Sequence, residues 1–179
     1  MEIIETERLL LRPITEDDAE MIFEYCRNEN IGLNAGWKPH ATIEETIEVI
    51  KDFYLDKENA FGVEVKETGR LIGSIGLLPD PKRQNDKTHM LGYTIAEEYW
   101  GKGYATEAAD AIVEFGFEDL SLDLISAYCY PFNERSKRVL AKCGFSFEGR
   151  LRKAEIRFDG EIVDHECYSK VCTNRNSRG

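Results

Sequence analysis

The sequence predicts an α+β fold: one central, mixed, mostly antiparallel twisted sheet flanked by about four helices. Three observations predict it. The apolar pattern switches repeatedly between two-residue alternation and helical spacing. The segments run strand, helix, helix, a group of strands including a three-strand meander, helix, strand, helix and two paired strands. No repeat, low-complexity segment or linker interrupts the 179 residues, a length that suits one domain with a sizeable core.

Each element has its own signal. Glu7–Ile14 reads as a first strand ended at Pro13, which cannot donate to a ladder. Thr15 is a helix cap with Asp18 three residues on, and Ala19, Ile22, Phe23 and Cys26 continue the stripe. Residues Asn30–Ala41, with Gly32, Gly36 and Pro39, read as loop. Thr42 caps a second helix carrying Ile43, Ile47, Ile50 and Tyr54 on one face. Ala60–Val65 and Leu71–Leu77 alternate as strands about a turn at Glu67–Arg70. A polar loop, Pro79–Lys87, precedes the strand Met90–Ile95, a glycine loop and a helix to about Asp119. Leu124–Tyr130 is a strand, Glu134–Cys143 a short helix ended by Gly144, and Phe145–Gly149 a returning strand. Phe158–Glu161 is a hairpin turn before the last strand, Ile162–Val171. One domain is expected over residues 1–172, with a polar tail at 173–179.

Composition narrows the function. No apolar run approaches the ~20 residues of a membrane span. The first residues, Met1-Glu2-Ile3-Ile4-Glu5, carry acid where a signal peptide carries base, so a cytoplasmic protein is expected, with no membrane partner. A net charge of −11 disfavours a nucleic-acid partner and favours a cationic substrate. Cys26, Cys129, Cys143, Cys167 and Cys172 form no Cys-x-x-Cys pair, and His40, His89 and His165 lack metal-ligand spacing. A structural role is the expectation for all eight, with no metal.

The chemistry concentrates at Tyr99-Trp100-Gly101-Lys102-Gly103-Tyr104-Ala105-Thr106, between a strand and a helix. Two glycines permit a sharp turn, and the following helix start offers free N–H groups and a positive dipole end. That combination suits a phosphorylated ligand. A third glycine for a dinucleotide fingerprint is missing, and a Walker loop would need different spacing.

Four segments resemble the GNAT N-acetyltransferase superfamily, closest to its RimJ/RimL-like branch, whose named members acetylate N-termini of ribosomal proteins. They are Thr6–Arg12, Glu98–Ala108, Asn133–Leu140 with Cys143-Gly144-Phe145, and Gly149–Arg152 with the Gly160…Asp164…Tyr168 hairpin. The resemblance spans about Glu7 to Lys170 and implies the GNAT fold, its sheet splayed between the Met90–Ile95 and Leu124–Tyr130 strands. It implies acetyl-CoA as cofactor. Tyr93, Thr94 and Ile95 would pair with the pantetheine arm, and Gly101 to Thr106 would meet the pyrophosphate with help from Lys102. Trp100 stands where many relatives have Arg or Gln, and packing against the sheet edge suits its side chain.

By the same resemblance, Asn133 bonds the pantetheine arm or the acyl site, and Ser136 protonates the leaving thiolate. Capping of the helix by Asn133 is the structural alternative. Exposed strand edges in such folds often pair, so a homodimer belongs among the expectations.

Acetyl transfer needs a neutral amine. A lysine-like amine has a pKa of ~10 and an α-amine one of ~8, so the second is better placed near neutral pH. Relatives often carry a glutamate in the cofactor strand; this chain has Met90 there, which cannot take a proton. Glu155, Asp164, Glu64, His89 and Tyr93 are the candidate bases, with Glu155 preferred. If Met90 faces the site, His89 faces away, and a strand-start position suggests exposure for it. Trp37 and Tyr54 are candidates for the acceptor wall.

The leading reading is an acetyl-CoA-dependent transferase acting on a protein N-terminus. A small-amine acetyltransferase and a catalytically weak acyl-CoA-binding module are its competitors.

Overall fold

Alternation along each strand sends one set of apolar side chains to each side of a single sheet. The computed structural model describes residues 3–55 and 57–173. Most of the expected polar tail lies outside them.

The eight strands are β1 (Ile4–Glu5), β2 (Leu9–Arg12), β3 (Ala60–Val65), β4 (Arg70–Pro79), β5 (Thr88–Ile95), β6 (Leu124–Cys129), β7 (Ser146–Ile156) and β8 (Ile162–Val171). They lie in the order β1-β2-β3-β4-β5-β6-β8-β7. Every neighbouring pair is antiparallel except β5 and β6. That parallel pair needs a long crossover. Helix α4 (Tyr104–Glu118) supplies it.

Five α-helices are present among the described residues, rather than about four. They are α1 (Ala19–Cys26), α2 (Glu29–Ala35), α3 (Ile43–Phe53), α4 and α5 (Glu134–Lys142). The added helix is α2, which falls in the segment read as loop. Asn28 caps it by accepting from the Asn30 N–H at 2.9 Å, and Gly36 ends it in the left-handed region at φ 93°. Seven residues are too few to establish a helical stripe, so tertiary packing of Ile31 decides the conformation. Strand β1 is also new to the structure, because two residues show no alternation. Strand β7 runs past Gly149 to Ile156, paired with β8 except at two irregularities, between Phe147 and Gly149 and between Leu151 and Glu155.

Two cores result. Ile112 and Phe115 of α4 pack on Phe61, Leu77 and Ile125. The Phe61 and Phe115 rings meet edge to face, 5.9 Å apart at 85°. On the other side, Ile22 of α1 and Ile50 of α3 pack with Leu71. Burying each of these side chains contributes about 1.5–3 kcal/mol. Both cores end near Tyr99 and Trp100, which touch each of them.

The feature that matters for function is a split. β5 and β6 pair from Thr88 with Leu124 to Leu91 with Ala127, and no further. Beyond Leu91 and Ala127 the strands part, as the expected splay requires.

Candidate active site

A cavity of about 670 Å³ opens where β5 and β6 part. Its walls come from the ends of those strands, the first turns of α4 and α5, α2, and the β7–β8 hairpin. The Ala96 N–H bonds the Ile72 carbonyl at 2.7 Å. Antiparallel bonding alternates, so Thr94 and Gly92 also turn their backbone groups to β4. The backbone groups of Tyr93 and Ile95 therefore face the gap. Trp100 takes one of them: its indole N–H donates to the Ile95 carbonyl at 2.7 Å.

At one end of the gap, Gly101 and Gly103 sit in the left-handed region, at φ 76° and 86°. Side chains with a Cβ pay ~1–2 kcal/mol there. Gly103 is the N-cap of α4 and, having no side chain, leaves the helix start without a side-chain cap. The Glu107 N–H closes the first helical turn onto the Gly103 carbonyl at 3.0 Å. The N–H groups of Tyr104, Ala105 and Thr106 precede it and point out of the helix toward the cavity they line. Arg8 braces this loop. Its Nη1 donates to the Lys102 carbonyl at 3.1 Å, its Nε to Glu107 at 2.7 Å, and its guanidinium lies 4.5 Å from the Tyr104 ring centre.

Positive charge arrives from α5. Arg135, Arg138 and Lys142 line the cavity at helical spacing, so they share a face. The Arg135 guanidinium stacks 3.9 Å from the Trp100 ring centre. In a chain of net charge −11 this is a local reversal. Sequence reasoning missed these three, although their spacing on a short helix was visible. Lys102, expected here, does not line the cavity: its ammonium folds 4.9 Å from the Tyr99 ring centre. The other expected cofactor residues, Tyr93, Thr94, Ile95, Trp100, Gly101, Gly103, Tyr104, Ala105, Thr106, Asn133 and Ser136, all line it.

At the middle of the gap, the Tyr93 and Ser136 hydroxyls share a hydrogen bond of 2.9 Å. Burial raises the Tyr93 phenol above its ordinary range despite that bond, so it stays protonated. The Asn133 side-chain oxygen accepts from the Ser136 N–H at 3.1 Å and caps α5. Its amide nitrogen donates to the Asn34 carbonyl at 3.5 Å, a long contact with α2.

The third region is on the β7–β8 hairpin. Glu155 Oε2 accepts from the Tyr130 hydroxyl at 3.0 Å and lies 2.8 Å from His165 Nε2. Burial, and then the Glu155 carboxylate, push the Tyr130 phenol up, so it remains the donor. Gly36 closes this corner, where a Cβ would come within 2.5 Å of the Tyr130 hydroxyl.

Of the five candidate bases, Glu155 and Tyr93 line the cavity. Glu64 is bound by Arg12 at 2.6 Å, and Asp164 accepts from the Lys153 N–H at 2.8 Å. Met90 lines the cavity and His89 does not, as alternation predicts. His89 is half-buried rather than exposed, and burial lowers its pKa. Trp37 and Tyr54 also line the cavity, Tyr54 sharing a 3.1 Å hydrogen bond with Ser74. His165 was assigned a structural role from sequence; it lines the cavity beside Glu155.

An acetyltransferase (GNAT) domain model matches residues 8–146. The chain belongs to the GNAT acetyltransferase family.

The "Uncharacterized N-acetyltransferase YoaA" of Bacillus subtilis (strain 168) is 37% identical over 173 residues, covering 94% of this chain and 96% of that protein. A GNAT acetyltransferase structure from Bacillus anthracis is similar at a TM-score of 0.84 and 29% identity, over 95% of this chain and 98% of that one. The ribosomal-protein-S5-alanine acetyltransferase of Vibrio fischeri matches at a TM-score of 0.74 and 26% identity, over 97% of this chain and 98% of that one.

This GNAT enzyme uses acetyl-CoA, and its residues fit that molecule. The uncapped N–H groups of Tyr104–Thr106 suit a pyrophosphate, and Arg135, Arg138 and Lys142 suit further phosphate charge. The gap-facing backbone of Tyr93 and Ile95 suits an amide-bearing arm. Among the described residues no helix is long and apolar enough to cross a membrane, and no cluster of His, Cys, Asp and Glu could hold a metal ion.

Proposed function

We propose that this acetyltransferase acts on the α-amine of a protein N-terminus, with Glu155 as the base. The observation that carries the proposal is that Glu155 is the sole carboxylate among the described residues lining the cavity. One carboxylate balances one ammonium. A polyamine brings several, and the other charged groups lining the cavity are Lys82, Arg135, Arg138 and Lys142, with the wrong sign to receive them. The likeness to a ribosomal-protein-S5-alanine acetyltransferase supports the same substrate class. A cytoplasmic location is part of this reading.

Acetyl-CoA supplies an acyl group activated as a thioester. Glu155 Oε1, which takes part in neither bond that holds Oε2, accepts the amine proton, directly or through a water. The Tyr93 N–H faces the gap and can stabilise charge developing on an acyl oxygen. Ser136, hydrogen-bonded to Tyr93, would give its hydroxyl proton to the departing sulfur and regain one from solvent as Glu155 releases the amine's proton there. Asn133 is a positioning residue: it caps α5 and so fixes the Ser136 hydroxyl. Trp37 and Tyr54 form an aromatic wall for the first side chain of the peptide.

The competing reading, an acyl-CoA binder without transfer, was motivated by Met90. Glu155 weakens that motive, because it brings a carboxylate to the cavity from another strand.

The test is thiol release from acetyl-CoA with peptides of varied N-terminal residue, spermidine and free amino acids. A kcat/KM for a peptide at least tenfold above every small amine supports the proposal. Preference for spermidine overturns the substrate class, and full activity in Glu155→Gln overturns the base.

A further inference from the structure

His165 joins Glu155 to the Lys82 ammonium. Its Nε2 lies 2.8 Å from Glu155 Oε2, and its Nδ1 lies 3.1 Å from the Lys82 ammonium. The ring is held from two sides, by Tyr128 stacked at 6.4 Å and 30° and by Tyr130 tilted at 5.7 Å. Lys82 is held in turn, 3.8 Å from the Tyr128 ring centre.

The donor inventory of these groups assigns the proton. An ammonium has three donors and no acceptor. Nδ1 can therefore hydrogen-bond Lys82 only as a bare, accepting nitrogen. A neutral imidazole with a bare Nδ1 carries its proton on Nε2. That proton points at Glu155 Oε2, where it joins the proton of the Tyr130 hydroxyl.

We propose that His165 is a positioning residue for the base, its tautomer selected by Lys82 and Glu155 together. The assignment rests on Glu155 being the base. Two donors saturate Oε2 and fix the carboxylate's rotation. Oε1 is left as the proton acceptor, facing Gly36, where a Cβ would lie 3.3 Å from it. With the opposite tautomer, Nε2 would present a lone pair to the carboxylate and the two groups would repel. Nothing in the spacing of residues 82, 155 and 165 marks this relay in the sequence.

The test reads the proton directly. In protein labelled with ¹⁵N at histidine, two-bond ¹H–¹⁵N correlations near neutral pH show which nitrogen is protonated, and His165→Gln identifies the signal among the three histidines. The expected result is an Nε2–H tautomer that persists in Lys82→Met, where Glu155 still accepts from Nε2, and gives way to a mixture of tautomers only when Glu155→Leu is added. An Nδ1–H tautomer in the unaltered protein overturns the assignment.

Kinetics supply the second arm. His165→Phe is expected to lower kcat about 10- to 100-fold, the scale of a misplaced reacting group. Its KM for acetyl-CoA stays within twofold, because the cofactor residues lie on β5, α4 and α5. His165→Gln, whose amide can donate in place of Nε2, recovers part of that loss. Equal kcat in the Phe and Gln variants, or full activity in Phe, overturns the positioning role. If Glu155→Gln keeps full activity, the base itself is wrong, and the tautomer result still stands by its own measurement.

Discussion

The Tyr93 hydroxyl on β5 meets the Ser136 hydroxyl on α5 at 2.9 Å, across the gap where the sheet parts. The two elements are tied at the point where the proposed mechanism puts the acyl group. Because burial keeps the Tyr93 phenol protonated, the pair holds two protons and can pass one on.

Ser136→Ala and Tyr93→Phe should each lower kcat with a smaller change in the KM for acetyl-CoA. Ser136→Ala is the larger loss, about 10²-fold, at the low end for general acid catalysis. The double variant should lose little more than Ser136→Ala alone, because the two hydroxyls act as one donor. Steady-state kinetics of all three variants decide it; full additivity would show that they act separately.

Asn133 has a structural duty that separates from chemistry. Asn133→Ala removes the cap on α5 and should cost about 0.5–2 kcal/mol of stability. Asn133→Asp keeps an accepting oxygen and should recover most of that. Thermal unfolding of both variants, without acetyl-CoA, measures the cap. A larger acetyl-CoA Kd in Asn133→Asp, at restored stability, would show a further role of the amide at the cofactor.

Gly103→Ala should be destabilising and should weaken cofactor binding together. A left-handed alanine costs ~1–2 kcal/mol, and its Cβ would lie 3.3 Å from Arg8 Nη2. Relief of that strain would rotate the N–H groups at the start of α4. The rise in Tm that acetyl-CoA produces should therefore shrink in the variant, beyond the loss of Tm without it. An unchanged rise would show that the loop tolerates a side chain.

Acid should destabilise the fold through buried carboxylates. Burial alone would push the Asp18 carboxyl up, but hydrogen bonds from Arg12 and Thr15 outweigh it and hold it below the usual range. A carboxyl lowered on folding contributes its full stabilisation above its unfolded pKa of ~3.9 and loses it as pH falls from there through its lower folded pKa. The urea midpoint should begin to fall below about 6.5, where burial keeps His40 and His89 neutral in the fold while the unfolded chain protonates them, and drop further below about 4. Asp18→Asn should flatten part of that drop. At neutral pH its cost should fall at the low end of the ~3–5 kcal/mol for breaking a buried pair, since Glu64 still meets Arg12 at 2.6 Å. An unchanged pH profile in the variant would count against this account.

Local sequence determined much of this protein. Ala60–Val65 and Ile162–Val171 alternate cleanly, and the strands fall within those bounds. The two glycines at 101 and 103 announced the sharp entry to α4, because few other residues adopt those angles. Glu155 was one of five candidate bases in the sequence, and the fold brings it to the cavity. What stayed hidden depends on pairs distant along the chain. Helix α2 is too short to signal itself, and Arg135, Arg138 and Lys142 acquire meaning only when α5 is set beside the start of α4. His165 had no motif. The β7–β8 register places Leu151 opposite His165 and Glu155 opposite Val163, with a shift of pairing between them. That irregularity, together with Lys82 arriving from the loop after β4, brings carboxylate, ring and cation into line. Backbone preference and burial act over a few residues and are written locally; the direction of a proton between three side chains exists only once the sheet is assembled.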